Sequence, residues 1–193
     1  MLVKRVFDIV FALLGLLLLF IPILLFYFIA MIDTGKNGFF IQSRIGRYGR
    51  PFKIIKLRSM KDTAQGKKVT CFGRFMRKFK IDEFPQLLNI LAGSMSLVGP
   101  RPDVPGYYDT LTEPYCEILK LKPGLTGPAS LKYSNEEEIL AKVQDSQRYN
   151  DEVIFPDKLR INLNYLKYRT FWLDIKILCY TFTGIKPKED YFK

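Results

Sequence analysis

The sequence predicts an α+β protein. Residues 1–34 read as a re-entrant N-terminal membrane helix bent at Pro22. Residues 35–193 read as a helix-rich, membrane-associated globular domain with a few short strands. Three observations predict this. An apolar run over residues 9–32 carries no charge through twenty-four positions. Short strand-like stretches follow it, and then mostly helical patterns. Apolar residues make up 48% of the chain, ample for a core, while 25% charged residues are too many for a purely integral bundle. At 193 residues the chain has room for one domain plus an anchor.

The run over residues 9–32 comes first. At about 1.5 Å per residue it reaches across a hydrocarbon core of ~30 Å. It is too long for a signal peptide, and no small-x-small cleavage site follows Ala30. Pro22, near its middle, removes a backbone donor and bends the helix. Lys4 and Arg5 precede the run and a basic block follows it, so the positive-inside rule holds both flanks to the cytoplasmic side. A helix that enters, bends and returns satisfies both features, and both weaken a plain span. Arg5 and Asp8, three apart, are spaced to pair on one face.

Residues 39–44 and 52–59 read as strands, with Gly46 and Gly49 marking the turn between them. The polar residues 61–69 read as a mobile loop. Residues 72–80 carry apolar side chains at 72, 75, 76 and 79 and bases at 74, 77, 78 and 80, an amphipathic basic helix. Asp82 reads as the N-cap of a helix running to Leu91, with Pro85 in its first turn. A further helix is predicted over residues 110–121. Ser134 and Glu137 form a capping box for one reaching about Gln147. Pro156 and Asp157 open another, and residues 171–183 form a strongly apolar last helix.

Charge is unevenly spread. Residues 36–80 hold fourteen Lys or Arg and one acid, a local net of +13, while residues 81–193 hold fourteen bases and sixteen acids. The basic block reads as a solvated region, as a patch resting on anionic lipid headgroups, or as a phosphate or pyrophosphate site. Nucleic acid is not expected as a partner, because no recognisable nucleic-acid motif accompanies the aromatic residues here. Histidine is absent, which removes Ser-His and Cys-His nucleophile pairs and histidine-ligated zinc. Three cysteines without close pairing, Cys71, Cys116 and Cys179, fit neither a disulfide framework nor a zinc spacing.

The strongest candidates for chemistry are Asp82 and Glu83. The pair reads either as acids answering a helix N-terminus or as a reactive dyad. Two carboxylates beside a phosphate suit Mg²⁺, which takes one or two carboxylates plus phosphate oxygens. One carboxylate can instead attack phosphorus. Arg77 lies upstream. Arg101 is held between Pro100 and Pro102 on a stiff turn, as a phosphate contact or as a surface ion-pair residue.

The chain closely resembles the small monotopic bacterial phosphoglycosyl transferases of the bacterial sugar transferase family. The matching runs are Arg44-Ile-Gly46-Arg-Tyr-Gly49, Lys56-Leu-Arg58-Ser-Met60, Ile81-Asp82-Glu83-Phe84-Pro85-Gln86-Leu87, Gly93-Ser-Met-Ser-Leu-Val-Gly99-Pro-Arg101-Pro102, Lys122-Pro-Gly124-Leu-Thr126-Gly127 and Asp174-Ile-Lys176. The resemblance implies transfer of a sugar 1-phosphate from a UDP-sugar to polyprenol phosphate (undecaprenyl phosphate), releasing UMP and initiating bacterial glycoconjugate synthesis. It implies Asp82 as nucleophile, Glu83 with it as Mg²⁺ ligand, and phosphate contacts from Lys56, Arg58, Arg77 and Arg101. Arg44, Gly46, Gly49, Pro102 and Thr126 fall in runs expected to line the substrate or lipid pocket. The implied place is the cytoplasmic face of the bacterial inner membrane, among its lipids, with homo-oligomerisation left open. The chain departs from the family at Ser94, where an Asp is usual, at Ile21 before Pro22, where a Ser is frequent, and at Pro128 and Ser130. A conventional glycosyltransferase releasing UDP and a non-catalytic cationic membrane scaffold are the alternatives. The intact acid pair beside Arg77 and Arg101 argues against the scaffold.

Overall fold

Residues Leu2–Thr34 form a single helix, α1, that continues through Pro22. A computed structural model describes residues 2–185, so the last predicted residues of the domain, 186–193, lie outside the described part. The apolar run is helical because nothing along it competes for backbone hydrogen bonds. Its outer side chains find little cover within the fold: Leu18 is 79% exposed, Ile21 75% and Ile32 80%. Only Asp8, Ala12 and Ala30 of α1 are buried. The observed architecture mixes helices with short strands, as predicted. The chain divides into two compact units.

The first unit takes in the chain up to Arg44 together with Pro51–Met95. Strand β1 (Phe39–Ile45) pairs with β2 (Pro51–Leu57), matching the predicted strands to within two residues. Helix α2 (Cys71–Lys78) follows the predicted amphipathic segment, and the Thr70 hydroxyl caps it by accepting from the Gly73 N–H at 2.8 Å. A short core of Ala30, Leu57 and Met76 is walled by Phe26, Tyr27, Phe39, Phe72 and Ile81. The Phe26 and Phe72 rings stack at 5.6 Å and those of Tyr27 and Phe39 meet at 4.7 Å, so α1 packs here through aromatic contacts. Helix α3 (Gln86–Leu91) runs against α1. Gly15 allows the approach, since a Cβ there would stand 3.0 Å from Leu87 Cδ1. The Arg5 guanidinium donates to the carbonyls of Ile90 (2.6 Å) and Leu91 (3.0 Å), answering orphan acceptors at the end of α3.

Two expectations in this unit are corrected. Residues 61–69 are not a loop: β3 (Met60–Thr63) and β4 (Gly66–Val69) form an antiparallel hairpin. Gly66, at φ +111°, turns the chain, and the Thr63 hydroxyl donates to its carbonyl at 2.6 Å. Neither face of the hairpin is buried, so no apolar alternation marked it. Asp82 is not an N-cap. It lies within a 3₁₀ turn, Ile81–Glu83, and α3 begins later, after Pro85, with no side-chain cap. Pro85, with φ near −63°, starts α3 at the point where the 3₁₀ turn ends.

The second unit takes in Ile45–Arg50 and the chain from Ser96 on. Its parallel strand pair, β5 (Ser96–Val98) and β6 (Gly124–Thr126), carries no readable sequence period, because each is three residues long and β5 is buried throughout. The strands approach so closely that a Cβ on Gly124 would fall 2.1 Å from the Gly99 nitrogen. The core joins Ile45, Tyr108, Ile118 and Leu159. Helices α4 (Pro128–Lys132), α5 (Glu136–Leu140), α6 (Ser146–Tyr149), α7 (Phe155–Tyr168) and α8 (Phe171–Thr183) complete the unit. The bounds of α8 are those predicted. In place of the helix predicted over residues 110–121 there is a 3₁₀ turn, Tyr115–Lys120, preceded by another at Tyr108–Thr110, because Pro114 lacks an N–H and disfavours helical backbone before it. The helix predicted from Ser134 to Gln147 is two pieces. Asn135, not Ser134, precedes α5, which ends at Leu140, and Asp145 caps α6 by accepting from the Arg148 N–H at 3.0 Å.

Candidate active site

Helix α2 and strand β2 bring the site residues of the first unit together. Lys80 adopts a left-handed backbone (φ 57°, ψ 20°), which turns the chain sharply from α2 into the 3₁₀ turn that carries Asp82 and Glu83. Both carboxylates are buried, 7% and 6% exposed. From β2, Lys56 Nζ donates to Glu83 Oε1 at 3.1 Å. From α2, Arg77 Nε donates to Ser59 Oγ at 3.0 Å. Gly73 sets that last contact: a Cβ there would lie 2.0 Å from the Ser59 carbonyl oxygen, so only glycine lets α2 press against Ser59.

Asp82 differs from its neighbour. Its Oδ1 is buried and accepts no hydrogen bond. Burial raises its pKa above the ordinary 3.8, the Glu83 charge raises it further, and Lys56, Arg77 and Lys80 oppose the rise. A buried carboxylate with an idle oxygen, held among three cations, is poised to take a ligand or an electrophile. The α3 N-terminus is separated from the pair by Phe84 and Pro85, so Asp82 does not cap it.

Asn89 is a residue that sequence reasoning missed. Its Nδ2 donates to the Lys53 carbonyl at 2.7 Å and its Oδ1 accepts from the Ile55 N–H at 3.1 Å, so the side chain pairs with the edge of β2 as another strand would. Its own carbonyl accepts from the Ser94 and Met95 N–H groups at 3.1 and 3.2 Å. The Ser94 hydroxyl donates to the same carbonyl at 3.1 Å, so the serine at the position of the usual Asp ties off the end of α3. The only signal in the sequence was a polar residue inside the apolar stretch Leu87 to Leu91.

The remaining predicted residues make the following contacts within their own units. Arg58 donates to the carbonyls of Asn37 (2.7 Å) and Phe39 (3.2 Å) and braces the entry to β1. Arg44, on β1, donates to Gln42 Oε1 at 2.8 Å. In the second unit, Gly46, Arg101 and Pro102 line a small apolar cleft with Tyr108, Ile118 and Pro123. Gly49 supplies a left-handed turn at φ 71°. Buried Thr126 shares a 2.8 Å hydrogen bond with Thr181, whose hydroxyl also donates to the Ile177 carbonyl, so it fastens β6 to α8.

Among the described residues no group of three or more His, Cys, Asp or Glu side chains gathers to hold a metal. The acid pair, with its idle oxygen, fits Mg²⁺ only as a shared ion completed by phosphate oxygens and water.

Comparison with known proteins places the chain among its relatives. Residues 1–186 match the family model described as bacterial sugar transferase. An uncharacterized sugar transferase, EpsL, of Bacillus subtilis (strain 168) is 34% identical over 98% of this chain and 90% of its own length. A putative undecaprenyl-phosphate N-acetylgalactosaminyl 1-phosphate transferase of the same organism is 43% identical over 69% of this chain and 79% of its own length. The UDP-glucose:undecaprenyl-phosphate glucose-1-phosphate transferase of Escherichia coli (strain K12) is 35% identical over 98% of this chain, which spans 42% of that longer protein. The dyad, the cations facing it and a match along nearly the whole chain leave one reading of its kinship: the chain belongs to the bacterial sugar transferase family and is an enzyme.

Proposed function

We propose that the chain transfers a sugar 1-phosphate from a UDP-sugar to undecaprenyl phosphate at the cytoplasmic face of the bacterial inner membrane. The observation that carries this reading is Asp82: buried, idle at one oxygen, and faced by Lys56, Arg77 and Lys80. An Asp82 oxygen attacks the phosphorus that bears the sugar. The bond from that phosphorus to the bridging oxygen breaks, and UMP leaves with that oxygen. A phosphate oxygen of the lipid then attacks the same phosphorus and releases the Asp82 carboxylate, giving the polyprenol-diphosphate sugar. Splitting the transfer into two displacements is the benefit of covalent catalysis. Lys56 and Arg77 stabilise charge on the transferring phosphoryl group, and Lys56 also holds Glu83 in place. Asp82 and Glu83 would hold Mg²⁺, which supplies charge neutralisation at the phosphates. Arg101, Pro102, Gly46 and Thr126 are assigned to substrate contact by their motifs alone.

The test is nucleotide analysis with a panel of UDP-sugars and undecaprenyl phosphate. UMP release is expected. UDP release would assign the chain to conventional glycosyl transfer, and no release with any sugar would overturn the proposed reaction. EDTA is expected to abolish turnover and added Mg²⁺ to restore it. Full turnover in chelator would leave the phosphate charge to Lys56, Arg77 and Arg101.

We also propose that α1 is re-entrant, with the bend at Pro22. Its exposed apolar surface and the basic residues at both flanks support this. Cysteines placed near residues 2 and 190 are expected to label from the cytoplasm only. Periplasmic labelling of the first would establish a span.

A further inference from the structure

Two sets of cations stand out within the basic block of residues 36–80. Lys56, Arg77 and Lys80 act on Asp82. A second set gathers around the β3–β4 hairpin. Lys36 forms an ion pair with Asp62, and Lys67 stands opposite Asp62 in the strand register. Lys67 and Arg58 each lie 5.6 Å from the Phe40 ring. Lys61 and Lys68 are directly opposed across the two strands, and both are exposed.

That last pairing is unfavourable. Like charges facing each other across an antiparallel pair destabilise it, and an isolated two-stranded hairpin is marginal to begin with. Asp62 is the only acid in the hairpin, and Lys36 and Lys67 already compete for it. A hairpin left with opposed cations invites an anionic surface from outside. Its place in the fold says which. Lys36 stands two residues beyond the end of α1, whose last turn exposes Met31 and Ile32, and β3 itself touches α1.

We propose that the β3–β4 hairpin is a headgroup-binding element: Lys61, Lys67 and Lys68, with Lys36, contact anionic phospholipid headgroups beside the membrane-embedded α1. This rests on the reading of α1 as a membrane helix. A chain whose α1 stays out of the bilayer would fail to incorporate into nanodiscs at all, a failure separate from any behaviour of the hairpin.

The test uses the full chain in nanodiscs of zwitterionic lipid, with and without an added fraction of phosphatidylglycerol, read by amide hydrogen exchange at residues 60–69. Anionic lipid is expected to slow exchange there at least tenfold, and 1 M salt to reverse it, because exposed charges are screened over a few ångströms at that strength. Replacing Lys61, Lys67 and Lys68 by Gln is expected to remove the lipid response. Lys61→Glu, which gives Lys68 an opposite charge, is expected to protect the hairpin in zwitterionic discs and flatten its response to anionic lipid. Equal exchange in the two lipids, with the chain incorporated in both, would overturn the proposal. So would protection in zwitterionic discs on adding a UDP-sugar alone, which would make the hairpin a substrate-phosphate site.

Discussion

Asp82→Asn is expected to abolish turnover and, at the same time, to make the protein more stable at neutral pH. The amide keeps the size of the side chain but is a far poorer nucleophile, so the covalent step is lost. Given a radiolabelled UDP-sugar and no lipid acceptor, the wild-type chain should retain label and release UMP, and the variant should do neither. A labelled adduct on the variant would move the nucleophile to Glu83.

The stability gain follows from the sign of the pKa shift. Burial, with the Glu83 charge, raises Asp82 above its ordinary value of 3.8, so the folded chain holds this proton more tightly than the unfolded chain. As pH rises from the ordinary value through the raised one, folded stability falls, and the full cost is present above it. Asparagine does not titrate and brings no charge to be desolvated, so the variant should melt measurably higher at neutral pH, by roughly 2–4 °C for each kcal/mol of burial cost relieved. The difference should shrink as the pH is lowered and close below the ordinary carboxylate range. Saturating Mg²⁺ should narrow it at neutral pH by stabilising the wild type alone. The same shift places the acid limb of the wild-type rate profile higher than an unperturbed carboxylate would. A variant no more stable than wild type would mean that the buried charge is fully offset by Lys56, Arg77 and Lys80.

The parts of this chain that could be read from sequence are those whose signal is local. The apolar run of α1 and the bounds of α8 needed only composition and periodicity, and Gly46 and Gly49 marked the turn between β1 and β2. The acid pair stood out because adjacent carboxylates in a basic neighbourhood are unusual. What escaped left no such pattern in the residues themselves. The β5–β6 pair forms between segments about thirty residues apart and is too short to show a period. The β3–β4 hairpin has no buried face to pattern it. Asp82 looked like a cap because the sequence does not show that Lys80 takes a left-handed turn and shifts the start of α3 past Pro85. Asn89 escaped because its function is set by two backbone groups of β2, more than thirty residues away.

Asn89 therefore carries the second large effect. In Asn89→Ala the Ile55 N–H loses its acceptor and the Lys53 carbonyl its donor. Each group left unsatisfied in a part-buried site costs about 1–3 kcal/mol, so a loss of roughly 3 kcal/mol is expected, or about 6–12 °C in melting temperature. Activity should fall further than stability explains. Lys56 follows Ile55 on β2, and its 3.1 Å contact with Glu83 spans the joint that Asn89 clamps. Slippage of β2 against α3 displaces that ammonium from the dyad, and a misplacement on the order of 1 Å can cost about 100-fold in rate. The loss should appear in kcat at temperatures where the variant remains folded. Asn89→Asp separates the two bonds: it still accepts from Ile55 but faces the Lys53 carbonyl with an acceptor. It should be the worse variant at neutral pH and recover as acid protonates the new carboxylate. An alanine variant that melts like wild type would show that α3 is held to β2 by packing alone. One that melts lower but keeps its kcat would show that the placement of Lys56 against Glu83 does not depend on the clamp.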